Sequence, residues 1–224
     1  MAAQEYQRVG AGEHVVIALH GWFGSAKAWA PLWPHLDTSR FSYVFPDYRG
    51  YGSRRGVPGE HTMAELAADT LVLADELGLD RISPGPASGV PFDEQGWQLF
   101  SGAAAQPANR RAIIDLTTGN RLSGTWLDAM VAHSLAHSDT DAFSDYLTAW
   151  AKTDFHADIE GSDVPVKVIV GEHDPALGEQ TARATFQQWY PKLDLEVFPN
   201  AGHYAMDETP VALATAIERF LASV

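Results

Sequence analysis

Four short apolar runs most constrain how this chain folds: "HVVIAL" (14–19), "FSYVFP" (41–46), "PVKVIVG" (165–171) and "LDLEVFP" (193–199). The first is continuous and β-branched rather than alternating, the pattern of a strand buried on both faces. Helical patterns lie between the runs. Residues 62–77 read as a helix: Thr62 and Glu65 form a T-x-x-E capping box, Met63, Leu66, Thr70, Leu73 and Leu77 recur at helical spacing, and Gly78 closes the end. A helix is expected near 178–189, and another begins with Thr209 as N-cap and Pro210 in its first turn. Strands alternating with helices predict a mostly parallel sheet with helices on both faces, an α/β fold.

Residues 90–160 differ. They carry amphipathic helical patterns rich in aromatics (Trp97, Phe100, Trp126, Phe143, Tyr146, Trp150, Phe155) and no convincing strand. The division expected is an N-terminal part of the core (1–89), a helical subdomain (90–160) and a C-terminal part of the core (161–224).

Composition narrows the function. With 224 residues the chain can bury a substantial core. A formal net charge of −14 argues against a nucleic-acid partner, which would need clustered Lys and Arg. The longest apolar runs are too short to span a membrane. There is no cysteine, hence no disulfide framework and no thiol nucleophile. The N-terminal residues show no secretory pattern, and a cytoplasmic location is the expectation.

Three stretches can carry chemistry, and each follows a strand. His20-Gly21-Trp22-Phe23-Gly24 forms a loop able to aim a backbone N–H at a developing oxyanion. Gly171-Glu172-His173-Asp174-Pro175 puts a carboxylate at a strand tip, where it can orient a histidine or simply cap the next turn. Asn200-Ala201-Gly202-His203-Tyr204 offers a histidine that is a general base or a surface residue. Their order (oxyanion loop, acid, histidine) favours the catalytic alternative.

The stretches "LHGWFGSAKAW" (19–29), "FPDYRGYGSR" (45–54), "VIVGEHDPA" (168–176) and "FPNAGHYAMDETP" (198–210) together resemble the α/β-hydrolase superfamily, in particular its small esterase, lactonase and cofactor-free haloperoxidase-like members. The resemblance implies that Asp174 is the triad acid, His203 the base and the Trp22 backbone N–H half of an oxyanion hole. It makes residues 90–160 a helical cap over the substrate pocket. It implies no metal and no organic cofactor. The family's chain order of nucleophile, acid, histidine agrees with Asp174 preceding His203.

The nucleophile itself is missing. In this family a strand, a G-x-S-x-G elbow, a helix and a further strand should follow "LADELGLDR", but only "ISPGPASG" follows Arg81. Pro84 and Pro86 exclude a central strand and a helix. Ser88, in G-P-A-S-G, has glycine spacing off by one. Ser134, in "VAHSLAH", sits in a helical pattern. His133 and His137 are four apart, like metal ligands on a helix, but lack a third ligand nearby, so exposed cap residues are expected. The economical reading is a deletion near residues 81–82 of two strands, a helix and loops, roughly 30 residues. It would open a gap of ~10 Å in the sheet, to be closed, left as edges or filled by strands of another chain.

The expected function is hydrolysis of a small ester, lactone or related acyl substrate by a Ser-His-Asp mechanism whose serine lies on the absent elbow. Gly24, where proline is common in Asp-nucleophile groups, favours serine over Asp. The alternative is a catalytically inactive deletion variant, or a binding or structural protein on the same scaffold. The partner expected is a small molecule, with neither nucleic acid nor membrane, and an oligomer that exchanges strands stays open.

Overall fold

A computed structural model describes residues 5–79 and 92–224. The expected junction at residues 81–82, and Ser88 with it, lie outside the described residues.

Five strands are described: β1 (Tyr6–Val9), β2 (His14–Ile17), β3 (Phe41–Pro46), β4 (Val166–Gly171) and β5 (Leu193–Phe198). Among the described residues they form two sheets, one in the order β1-β3-β2 and one pairing β4 with β5. β2 runs parallel to β3, with Val16 opposite Tyr43, and β4 runs parallel to β5, with Ile169 opposite Glu196. β1 is antiparallel to β3. β3 is buried at every position, which its unbroken apolar sequence requires.

The helix after the first sheet, α1 (Met63–Glu76), starts as its sequence dictates. Thr62 Oγ1 accepts from the Glu65 N–H at 3.1 Å. Glu65 in turn reaches the His61 N–H at 2.9 Å, one residue earlier than an ideal capping box. Five helices then follow one another: α2 (Glu94–Gly102), α3 (Pro107–Thr117), α4 (Gly124–His137), α5 (Thr140–Lys152) and the short α6 (His156–Ile159). The helix expected near 178–189 is two pieces, α7 (Glu179–Ala184) and α8 (Phe186–Trp189), broken at Thr185 (φ −120°, ψ −86°). α9 (Ala205–Glu208) leads directly into α10 (Pro210–Leu221), where Pro210 sits in the first turn as expected.

One apolar core holds the two sheets together. Phe41, Tyr43 and Phe45 of β3, Phe198 of β5 and Leu213, Ala214 and Ala216 of α10 share it. A polar tie supports this packing: the Tyr43 hydroxyl donates to Glu218 Oε1 at 2.9 Å, fixing α10 to β3. A second core gathers the helices from α2 to α5 around Ile113, Ile114, Leu127, Phe143 and Tyr146, and reaches Phe23 and Tyr51 at the ends of the first sheet. Most of the aromatics between residues 92 and 150 pack on one another. Trp22 stacks on Phe143 (centroids 4.2 Å apart), and Phe92 contacts both Phe100 (4.6 Å) and Trp150 (5.7 Å). No helix among the described residues is long and apolar enough to cross a membrane.

Candidate active site

Because β4 and β5 are parallel and in register, the loops that leave their carboxyl ends lie side by side. They are also hydrogen-bonded to each other: the Glu172 N–H donates to Phe198 O at 3.0 Å and the His173 N–H to Ala201 O at 2.9 Å. The approach is close enough to require glycine at position 171, where a Cβ would fall 2.2 Å from Gly202 O and 2.4 Å from Ala201 O.

This joint brings Asp174 to His203. His203 Nδ1 lies 2.7 Å from Asp174 Oδ2. The other oxygen, Oδ1, accepts from the Ala176 N–H at 2.9 Å and the Leu177 N–H at 3.0 Å. One oxygen of Asp174 therefore caps the following turn while the other contacts the imidazole. Burial opposes ionisation of the Asp174 carboxyl. The hydrogen bond and charge of His203, with the Leu177 and Ala176 N–H groups, outweigh it and hold the carboxyl below its ordinary value. An ionised carboxylate only accepts, so the imidazole proton belongs on Nδ1 and the lone pair on Nε2. The Asp174 side chain is 3 % exposed and that of His203 39 %, so the acid is enclosed while the histidine side chain reaches solvent.

The histidine loop is built tightly. Asn200 takes a left-handed conformation (φ 63°), which asparagine tolerates better than most residues. The His203 N–H donates to Thr117 O at the end of α3, at 3.1 Å. Tyr204 is buried edge-on against both His203 (5.3 Å) and Trp126 (5.7 Å).

Trp22 lies beyond the end of β2 and is pinned at both ends. Its carbonyl accepts from the Tyr51 hydroxyl at 2.8 Å, and its indole N–H donates to Phe143 O at 2.8 Å. His20 anchors the same loop. It is buried, its Nδ1 lies 2.9 Å from Gly21 O, its Nε2 faces the Tyr48 N–H at 3.3 Å, and its ring packs on Tyr48 (3.9 Å). Burial pulls its pKa down to about 4 against the opposing effects of Gly21 O and Asp47, so the ring is neutral at pH 7. Trp22 and Tyr204 border one apolar cluster, but no hydrogen bond or ring contact joins Trp22 to Asp174 or His203 among the described residues. The structure thus brings Asp174 and His203 together and leaves the Trp22 loop as a neighbour.

The remaining sequence candidates are placed differently. Ser134 is buried inside α4, where its hydroxyl accepts from Arg110 Nη1 at 2.8 Å. His133 and His137, expected to be exposed, are half-buried and stacked on each other (4.3 Å). His133 Nε2 lies 3.2 Å from Ser25 Oγ, a contact sequence reading missed. No group of three His, Cys, Asp or Glu that could hold a metal occurs among the described residues. A groove of about 300 Å³ lies between α3 and α4, lined by Pro107, Arg111, Val131 and Leu135, and includes neither Asp174 nor His203.

Comparison with known proteins decides the family. A model described as "Alpha/beta hydrolase family" matches residues 81–216, more than half of the chain, and one described as "alpha/beta hydrolase fold" matches residues 14–83. The chain belongs to the alpha/beta hydrolase family. Among curated relatives, this alpha/beta hydrolase is 32 % identical over 118 residues to 2-heptyl-3-hydroxy-4-quinolone dioxygenase AqdC2 of Rhodococcus erythropolis, covering 50 % of this chain and 42 % of that protein. It is 41 % identical over 70 residues to the putative carbamate hydrolase RutD of Caulobacter vibrioides (strain NA1000 / CB15N), covering 31 % of this chain and 26 % of that one. The matched region is less than half the length of either relative. The fold is shared with the esterase EaEST of Exiguobacterium antarcticum, with a TM-score of 0.83, 14 % identity and coverage of 97 % of this chain and 94 % of that one.

Proposed function

We propose that this alpha/beta hydrolase scaffold serves hydrolysis of a small ester, lactone or related acyl substrate, with Asp174 and His203 as two members of a Ser-His-Asp triad. The observation that carries this reading is the 2.7 Å contact between His203 Nδ1 and Asp174 Oδ2 at the ends of adjacent parallel strands. A buried acid fixes the tautomer, and the Nε2 of a partly exposed histidine can take a proton from a nucleophile. The Trp22 N–H is the proposed oxyanion donor. Residues 90–160 form the proposed cap between the two parts of the core, 1–89 and 161–224.

The nucleophile of this reading is a serine on a strand–elbow–helix–strand segment that belongs between Arg81 and Ile82. Two features support that placement. No G-x-S-x-G occurs in the 224 residues. Two models of the same fold meet at residues 81–83. In the reaction, serine Oγ attacks the acyl carbon as His203 takes its proton. His203 then protonates the leaving oxygen, and water releases the acyl group by the same route.

The absent elbow also favours a second reading, a non-catalytic protein on this scaffold. One comparison separates them. The 224-residue chain, verified by intact mass, is assayed for p-nitrophenyl acetate hydrolysis beside a chain carrying a family elbow segment between Arg81 and Ile82. The proposal expects turnover only from the second chain, abolished by His203→Ala and by replacing the elbow serine. Turnover by the 224-residue chain that His203→Ala abolishes would place the nucleophile within it. Inactivity of a folded elbow-bearing chain would leave the non-catalytic reading.

A further inference from the structure

We infer that Glu208 is a positioning residue for His203, and that Arg121 holds it in place from the connection between α3 and α4. The inference rests on the reading of His203 as the base. Glu208 lies five residues after His203, at the end of α9, and its side chain is 3 % exposed. A carboxylate so deeply buried has to be matched by donors. Its two oxygens each lie 2.9 Å from the Gly202 nitrogen, and Oε1 also accepts from the Tyr204 N–H at 3.2 Å. Oε2 receives Arg121 Nη2 at 2.6 Å.

The two N–H groups that Glu208 holds flank His203 on either side, and the N–H of His203 itself is held by Thr117 O. Three successive N–H groups are therefore fixed, two by one carboxylate and one by the end of α3. This leaves the His203 backbone little freedom, so the imidazole leaves the chain in one direction and Asp174 has only to fix the ring's rotation.

Arg121 extends the arrangement. It lies just beyond Gly119 and Asn120, both left-handed (φ 71° and 55°), and its Nη2 also reaches Asn200 O at 3.4 Å. Contact between α3 and the histidine loop is close: a Cβ on Gly202 would meet Thr118 Cα at 2.7 Å and Thr117 O at 2.9 Å. The connection that leads from α3 into α4 thus bears directly on the loop that aims the base.

The test reads the His203–Asp174 hydrogen bond itself rather than turnover. In chains with ¹⁵N-labelled imidazoles, the Nδ1 proton of His203 is assigned by its loss in His203→Gln, and its exchange with water is measured. Glu208→Ala is expected to accelerate that exchange at least threefold, as is Arg121→Met, whose side chain is more accessible. Glu208→Gln, which keeps an oxygen for Gly202 and Tyr204, is expected to restore slow exchange in part. Unchanged exchange in a folded Glu208→Ala chain overturns the inference. Should that variant not fold, unchanged exchange in Arg121→Met overturns it. Failure of the base assignment would show separately, as hydrolysis by the elbow-bearing chain that survives His203→Ala.

Discussion

Ser25 and His133 meet at 3.2 Å, although 108 residues separate them. Burial, the neighbouring His137 and Lys27 lower the His133 pKa, with Asp47 opposing, so a neutral ring shares a hydrogen bond with the Ser25 hydroxyl. The pair looks like a nucleophile and its base, but Ser25 is fully buried and its oxygen also accepts from the Lys27 N–H at 3.3 Å. It joins the loop after β2 to α4. Ser25→Ala is therefore expected to cost about 1 kcal/mol in urea unfolding, through loss of a cap and a hydrogen bond, and to leave the His203 Nδ1 proton signal unmoved. A large change in that signal without a change in stability would contradict a purely structural role.

Arg110 gives a second structural prediction. Its guanidinium is buried and lies 3.7 Å over the Phe143 ring, donating to Ala103 O (2.8 Å), Ser134 Oγ (2.8 Å) and Ser138 Oγ (3.1 Å). Burial lowers its pKa to about 10, leaving it charged at neutral pH. Arg110→Ala strands several acceptors and opens a cavity under Phe143, and a loss on the order of 3 kcal/mol is expected. Ser134→Ala removes one acceptor from a charged donor and should cost about 1–2 kcal/mol. Chemical denaturation of the two single variants and the double variant checks this. Strict additivity would show that the two side chains do not act together.

How far the sequence could be read depended on the range of the interactions. The strand 41–46 matches the described β3, and the helix expected at 62–77 matches α1 within a residue, because continuous apolar runs and a cap residue act locally. β1 went unread: "YQRV" alternates too weakly to stand out, and its order comes from antiparallel pairing with β3. The meeting of Asp174 with His203 was legible because each follows a strong strand. Glu208 was not, since what gives it meaning is the fold of its own loop and Arg121, far away in the chain. Ser25 and His133 were hidden for the same reason.

Buried His20 and half-buried Asp207 are expected to give stability opposite pH slopes. Burial and the Glu208 charge push the Asp207 carboxyl up to about 6 from 3.8, so between these values the folded chain holds the extra proton and stability falls as pH rises. His20 is pulled down to about 4 from 6.5, so between these values the unfolded chain holds the extra proton and stability rises with pH. These two contributions oppose each other between pH 4 and 6. Asp207→Asn should expose the rising slope and His20→Asn the falling one, as read from urea midpoints across that range. Curves parallel to the wild type in both variants would contradict the assignment.

The closest approach in the proposed site gives the sharpest mutational expectation. A methyl group at position 171 would fall 2.2 Å from Gly202 O and 2.4 Å from Ala201 O, both backbone atoms that cannot swing aside. Gly171→Ala must therefore push the histidine loop away from the end of β4, lengthening the His173 N–H to Ala201 O bond and the contact between Asp174 and His203. Steric strain of this kind costs more than about 2 kcal/mol. Gly178→Ala is the control, because its added carbon would meet Asp174 O at 2.4 Å on the acid loop alone. Both variants should be destabilised, with loss of the His203 Nδ1 proton signal more complete in Gly171→Ala. A folded Gly171→Ala chain with that signal intact would mean that the two loops can separate without disturbing the pair.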